Sequence, residues 1–287
     1  MTISAHAIQK RWNASMRDRW KRFSRQWSDL RRHPSSNAIH KMRTASRRLA
    51  SSINVALLSA GVPGERATRR LDQLSDQLGP VRDNHVYRKK LERLKNAGNV
   101  RAFIRYLARH KAEEYRRLDK YLRRHPKRRI HQQVDKIERK LQRISKDWTA
   151  GDFRTAFEKV LRRRFEILIQ THEDWKNNPD NKRFHRTRVE LRELRYASED
   201  IGEVLGLSRT HNIQTVLQIM RSLQTSMGNI HDIHKLRTEL VAWSSSRSGK
   251  KRALRMTAAS ELQKELKNRT VEFKDHSLAS KVSLPTL

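Results

Sequence analysis

The chain has no cysteine among its 287 residues. Disulfide staples, thiol catalysis and thiolate metal ligands are therefore excluded, with a lean toward a reducing, cytoplasmic setting. Nine glycines and six prolines are few for this length, so turns are sparse and long uninterrupted segments are expected. No stretch approaches 18 apolar residues, and the N-terminus has no apolar leader-like segment. Neither a membrane span nor a signal peptide is expected. Acid is scarce too: 30 Asp+Glu stand against 65 Lys+Arg, a formal charge of +35.

An excess of this size repels itself in a compact fold, and its retention points to an anionic partner. Nucleic acid, an anionic membrane surface and a phosphate polymer all qualify. A chain that is 36% hydrophobic and 33% charged borders on disordered compositions, but its apolar residues are periodic. Trp12, Met16, Trp20, Phe23, Trp27 and Leu30 step by three or four, one face of a helix. Leu141, Ile144 and Trp148 repeat the pattern. So do Phe153, Phe157, Val160, Leu161, Phe165, Leu168 and Ile169. No alternating strand pattern is present. The expected class is all-α: about ten or eleven helices in antiparallel bundles. Their expected breaks include His33-Pro34, Gly61 to Gly64, Gly79-Pro80, Gly98-Asn99, His125-Pro126, Gly151-Asp152, Asn178-Pro179, Gly206, Gly228-Asn229 and Ser248-Gly249.

The two halves repeat each other. Ile39 to Leu49 and Phe184 to Leu194 both read apolar-His-x-x-Arg-x-x-x-Arg-x-Leu. A second pair follows in the same order. Leu74 to His85 and Leu223 to His234 share Leu-x-x-x-(Leu/Met)-Gly-x-(Val/Ile)-(Arg/His)-Asp-x-His. The His-to-Gly spacing is 39 residues in one copy and 43 in the other. This predicts two similar helical bundles, 1–150 and 151–280, with a frayed tail at 281–287.

On a helix the first motif aligns His40, Arg43 and Arg47 in one row, and His185, Arg188 and Arg192 in another. Arginine offers a permanently charged fork that matches phosphate oxygens, and histidine near its titration point can gain a donor beside an anion. In the second motif, Gly79-Pro80 and Gly228-Asn229 read as helix stops. Asp83 and Asp232 would then lie in the first turns of new helices, stabilised by the dipole and orienting first-motif arginines. His231-Asp232-Ile233-His234 could suggest a metal, but the other copy has Arg82 in place of His231, and no third ligand is near. No metal and no cofactor is assigned.

These motifs resemble the CHAD family, the conserved histidine α-helical domain, over about residues 1–275. The correspondence is carried by His40, Arg43, Arg47, Arg48 and Leu49, by Leu78, Gly79, Arg82 and Asp83, and by His185, Arg188, Arg192, Leu194, Arg195, Tyr196 and Glu199. Thr44, Ala50 and Glu193 depart from the family's pattern. The resemblance implies two four-helix bundles around a basic central channel, together forming one CHAD domain that binds inorganic polyphosphate. The binding residues it implies are His40, Arg43, Arg47, Arg48, Arg82, His85, His185, Arg188, Arg192, Arg195, His231 and His234. Asp83, Asp232, Gly79, Gly228 and Tyr196 would support them. It further implies a stand-alone binding module, without the triphosphatase domain that accompanies some members and without catalytic residues. Partner enzymes and a place on polyphosphate granules are compatible with that role.

Two rivals remain. A nucleic-acid binder would share the charge, but most aromatics fall on core-like faces. A phosphohydrolase or phosphotransferase would need clustered acids for Mg²⁺ or a P-loop, and neither pattern is found.

Overall fold

The computed structural model describes residues 3–62, 65–92, 97–245, 251–274 and 282. Among them the chain forms nine α-helices and no strand: α1 (Ala5–Arg32), α2 (Ser36–Ser59), α3 (Glu65–Leu91), α4 (Ala97–Arg124), α5 (Lys127–Ile144), α6 (Ala150–Asn177), α7 (Asn181–Leu205), α8 (His211–Ser245) and α9 (Lys251–Lys274). The all-helical expectation holds.

Local chemistry sets several helix ends. Ser4, Ser35 and Asp180 cap α1, α2 and α7, each accepting a backbone N–H three residues on. Thr149 and Asp152 form a reciprocal capping box on α6, so Gly151 lies inside the first turn of that helix. Gly206 closes α7 at φ +76°, a left-handed position where a side chain would be strained. The expected breaks at Pro63-Gly64 and Ser248-Gly249 lie outside the described residues.

Two expected breaks are absent. Gly79-Pro80 lies within α3, and Gly228-Asn229 lies within α8. Burial overrides the local signal. Leu71, Leu74, Leu78 and Val81 are all buried and step 3-4-3 across Pro80, and Leu223, Met227, Ile230 and Ile233 are buried and step 4-3-3 across Gly228. Ending either helix there would turn its apolar stripe out of the core. Joining the segments also lowers the helix count. Asp83 and Asp232 are thus interior residues, and the first-turn dipole role expected of them is withdrawn.

Three apolar cores hold the helices. One is built on α1 to α5, with Phe23, Met42, Leu49, Leu78 and Val134 among its members. A second gathers α6, α7 and α8 with Ile8 of α1 and Val55 of α2. Val282, the one described residue of the tail expected to fray, is also buried there. A third joins the ends of α3 and α8 to α4 and α9 through Leu91, Phe103, Leu240 and Leu262. The Trp12–Leu30 stripe faces inward as expected, with Trp12 and Trp20 partly covered. Ile144 is an exception at 36% exposed, because α5 ends on it.

Candidate anion cleft

α2 and α7 each bury one face and turn a basic row away from it. His40 and His185 both stand five residues after their N-caps, Ser35 and Asp180, so the two copies of the motif enter at the same helical phase. Ile39, Met42 and Leu49 on α2, and Phe184, Leu191 and Leu194 on α7, are buried. Arg43, Arg47, Arg188 and Arg192 project from the flanks of these stripes, half-buried.

The rows converge. Burial, then Arg192, Arg43 and Arg188, works against the charge of Arg47. Arg188 is pushed down to about 10 by burial and by Arg192, with Asp232 opposing. Because a guanidinium keeps its proton, these pressures act as a standing repulsion among four cations. Arg43 Nη1 and Arg188 Nε are buried without a hydrogen-bond partner. α3 supplies Gly79 directly beneath Arg43, where a Cβ would come within 3.3 Å of Arg43 Nη1. Gly79 thus supports the site by leaving space rather than by ending a helix. Gly228 has nothing within 4 Å of its would-be Cβ.

Arg43, Arg47 and His185 of these rows open on a cleft of about 920 Å³. Its walls include Arg43, Arg47, His185, His231, His234 and Lys235, with Asp76, Asp83, Glu114 and Glu239 on the α3, α4 and α8 sides. His185 and His231 pack against each other with ring centroids 4.9 Å apart and planes tilted by 31°. Partial burial, then Arg188, Arg192, Lys235 and Arg47, lowers His185 to about 4. Burial, then Arg188, His185 and Lys235, lowers His231 to about 3. His40 is lowered by burial and by Arg82, Arg43 and Arg47, which places Arg82 at the same end of the site. Asp83 accepts from Lys235 Nζ at 2.8 Å, bridging α3 to α8. This pairing stands where one with a first-motif arginine was expected. Burial raises Asp232, with Arg82 and Lys90 opposing.

Three expected ligands lie elsewhere. Arg48 and Arg195 close on Glu199 at 2.8 and 2.7 Å, joined by Arg221 at 3.0 Å. Tyr196 lies under both guanidiniums, 4.9 and 4.5 Å from ring centroid to Arg48 and Arg195. Burial works to raise Glu199, but Arg195, Arg48 and Arg221 outweigh it and hold the carboxyl below its ordinary range. These residues fasten α2 to α7. His85 bonds Tyr115 of α4 at 3.1 Å. Beside this fastening, Arg19 of α1 bonds the buried Asp200 at 2.6 Å, and Ser52 Oγ donates to the same carboxylate at 2.5 Å.

Sequence reasoning missed Lys235, Lys182, His110 and Glu114, all lining the cleft. Lys235 is four residues past His231 on the same face, a spacing that was available to find it. His110 and Glu114 come from α4, which carries no copy of either motif. In the basic run from Arg123 to Arg129, Lys127 Nζ donates to Ser24 and Ser28 Oγ and Arg123 pairs with Asp119, so that corner is a solvated, locally tied turn. Arg163 and Arg164 line a second hollow of about 540 Å³ between α2, α3 and α6, with Arg164 3.5 Å from Glu190. Among the described residues no group of three or more His, Asp or Glu could hold a metal ion, and no helix is long and apolar enough to cross a membrane.

The fold is all-helical, with rows of histidine and arginine from α2 and α7 brought together. The family model described as CHAD domain matches residues 14–241, and the chain belongs to that family. The family is associated with polyphosphate binding or handling. Among solved structures, the CHAD domain from the plant Ricinus communis superposes with a TM-score of 0.71 at 16% identity, covering 93% of this chain and 89% of that one. No curated protein matches.

Proposed function

We propose that the cleft binds inorganic polyphosphate as a linear polyanion. The observation that carries this is the crowding of Arg43, Arg47, Arg188 and Arg192, in which Arg192 is paired with Glu193 at 2.9 Å while buried donors of Arg43 and Arg188 are left without partners. Such a cluster is costly when empty and is relieved only by negative charge with many acceptors. Arg43, Arg47, Asn54 and Leu58 share one face of α2, and Thr68, Asp72, Asp76 and Gly79 share one face of α3. The two hollows therefore line up along one trough, roughly 20 Å long at about 1.5 Å per residue. A chain of phosphates fits this shape, and reading charge density needs no sequence-specific contacts. The protein acts here as a binder without chemistry of its own, and a place on polyphosphate granules follows from the same affinity.

Titration with long-chain polyphosphate at several salt concentrations tests this. By analogy with nucleic acids, 6–10 phosphate contacts lose roughly 10³–10⁵ in affinity between 50 and 200 mM salt. Affinity independent of salt would defeat the reading. Competition by duplex DNA or RNA at equal phosphate concentration tests the nucleic-acid alternative. That alternative is disfavoured because Phe23, Trp27, Phe153, Phe157 and Trp175 are buried in cores and cannot stack on bases. Release of orthophosphate in the presence of Mg²⁺ would instead indicate an enzyme.

A further inference from the structure

The paired imidazoles at the cleft wall are in an unusual position for an anion site. Arg188 Nη2 lies 3.4 Å from His185 Nδ1. A guanidinium has donors only, so this contact is a hydrogen bond when the ring is neutral with Nδ1 unprotonated, and a repulsion when the ring is charged. His231 packs against that ring, tilted by 31° at 4.9 Å, and the low values of both histidines agree with two neutral rings. The surrounding charges explain this. α7 contributes Lys182, Arg188 and Arg192, α8 contributes Lys235 and His234, and Arg47 faces them from α2. The acids around them are engaged or further round the wall: Glu193 pairs with Arg192 at 2.9 Å, Asp83 holds Lys235, Asp232 acts on Arg82, Lys90 and Arg188, and Glu114 and Glu239 line the cleft with His110.

A polyanion changes each of these conditions. Its oxygens match the fork of Arg188 better than one imidazole nitrogen does, so the guanidinium turns to the ligand and Nδ1 of His185 is released. The same phosphates neutralise the cations that kept the rings uncharged. We propose that the His185–His231 pair takes up a proton as the polyanion enters, so that binding is coupled to protonation and strengthens on acidification. This rests on the reading of the cleft as a polyphosphate site. The two rings act as one unit, because a second charge at this separation is opposed by the first. An opposite charge within about 4–6 Å moves a side-chain pKa by roughly 1–3 pH units, which brings His185 from about 4 to the edge of neutrality. The direction follows from linkage. The group's pKa is higher in the complex than in the empty protein, so the complex gains as pH falls toward the bound value. The ligand cannot imitate this trend, since protonating terminal phosphates near pH 6 removes charge and weakens binding.

Calorimetric titration of the full chain with long-chain polyphosphate, at pH 7.5, 6.5 and 5.5 in buffers of different ionisation enthalpy, tests the coupling. The expected result is buffer-dependent heat showing uptake of up to about one proton, and affinity rising by as much as about tenfold per pH unit as pH falls. The double variant His185→Asn, His231→Asn should bind more weakly than the natural chain at pH 5.5 and lose the gain on acidification. Buffer-independent heat and pH-flat binding in the natural chain would overturn this proposal alone. A pH response kept intact by the folded double variant would do the same. No binding at any pH would overturn the polyphosphate reading and this proposal with it.

Discussion

Arg47 shows how function and stability oppose each other at one side chain. It is held among three other guanidiniums, so the empty site contains a repulsion that a neutral residue removes. Arg47→Met is expected to stabilise the fold by about 1 kcal/mol, by analogy with buried ion groups replaced by apolar ones. For a chain of this size that is a rise of roughly 2–4 °C in Tm. Polyphosphate affinity should fall in the same variant, and a scan with and without ligand reads both effects. Glu199 behaves oppositely. Its carboxyl is held below 4.5 by arginines that outweigh its burial, so its contribution is present above about pH 4.5 and is lost as pH falls through the lower folded value. Glu199→Gln should be less stable than the natural chain at pH 7, with the gap narrowing in acid, as followed by denaturant midpoints. At this scale the sequence was informative about side chains in rows and silent about their partners. The His-x-x-Arg-x-x-x-Arg spacing was enough to find Arg43, Arg47, Arg188 and Arg192. Nothing in it showed that Arg48 and Arg195, one and three residues past those rows, turn to Glu199 instead. That choice depends on how α2 and α7 pack.

At the level of helices, the two glycines at matching places in the repeat are not equivalent. Gly79 lies under Arg43, with 3.3 Å to its nearest guanidinium nitrogen, whereas Gly228 has open space. Gly228→Ala should therefore gain about 0.5–1 kcal/mol from helix propensity. In Gly79→Ala that gain is offset by displacing Arg43, and ligand affinity drops. Equal behaviour of the two variants, in chemical denaturation and in binding, would contradict this assignment of Gly79. The same residues show why helix ends were only partly legible. Ser35, Thr149, Asp180 and Gly206 act through local chemistry, which a sequence displays. Gly79-Pro80 and Gly228-Asn229 carry equally strong local stop signals, but an apolar stripe running through in phase outweighs them. Between α1 and α7, the buried Arg19–Asp200 pair makes a second test possible. Asp200→Ala leaves Arg19 with the half-exposed Glu203 at 3.1 Å as its remaining partner and should cost about 3 kcal/mol, whereas adding Arg19→Met should recover most of it.

Over the whole molecule the +35 charge is a self-repulsion that the fold tolerates. Added salt should raise the melting temperature in the absence of ligand, because screening relieves like charges faster than it weakens the few exposed pairs. Polyphosphate at about 100 times its Kd should add roughly 2.7 kcal/mol of stability, an increment that shrinks as salt rises. A melting temperature that falls with salt would show that ion pairs, rather than repulsion, dominate the surface. The fold class was legible from apolar periodicity. The α4 side of the cleft was not, since His110 and Glu114 belong to neither motif and reach the site only through tertiary packing.

The third core also has a consequence in time. It joins Leu91, Phe103 and the C-terminal end of α8 to Ala258 and Leu262 of α9, residues separated by most of the length of the chain. Closing so long a loop is entropically late, and it fixes the ends of α3 and α8 beyond Asp83, His231 and Lys235 against α4 and α9. The helical rows of α2 and α7 can form early on local contacts. The α4 wall of the cleft is set only after those distant segments have met, so a newly made molecule is helical before it is able to bind.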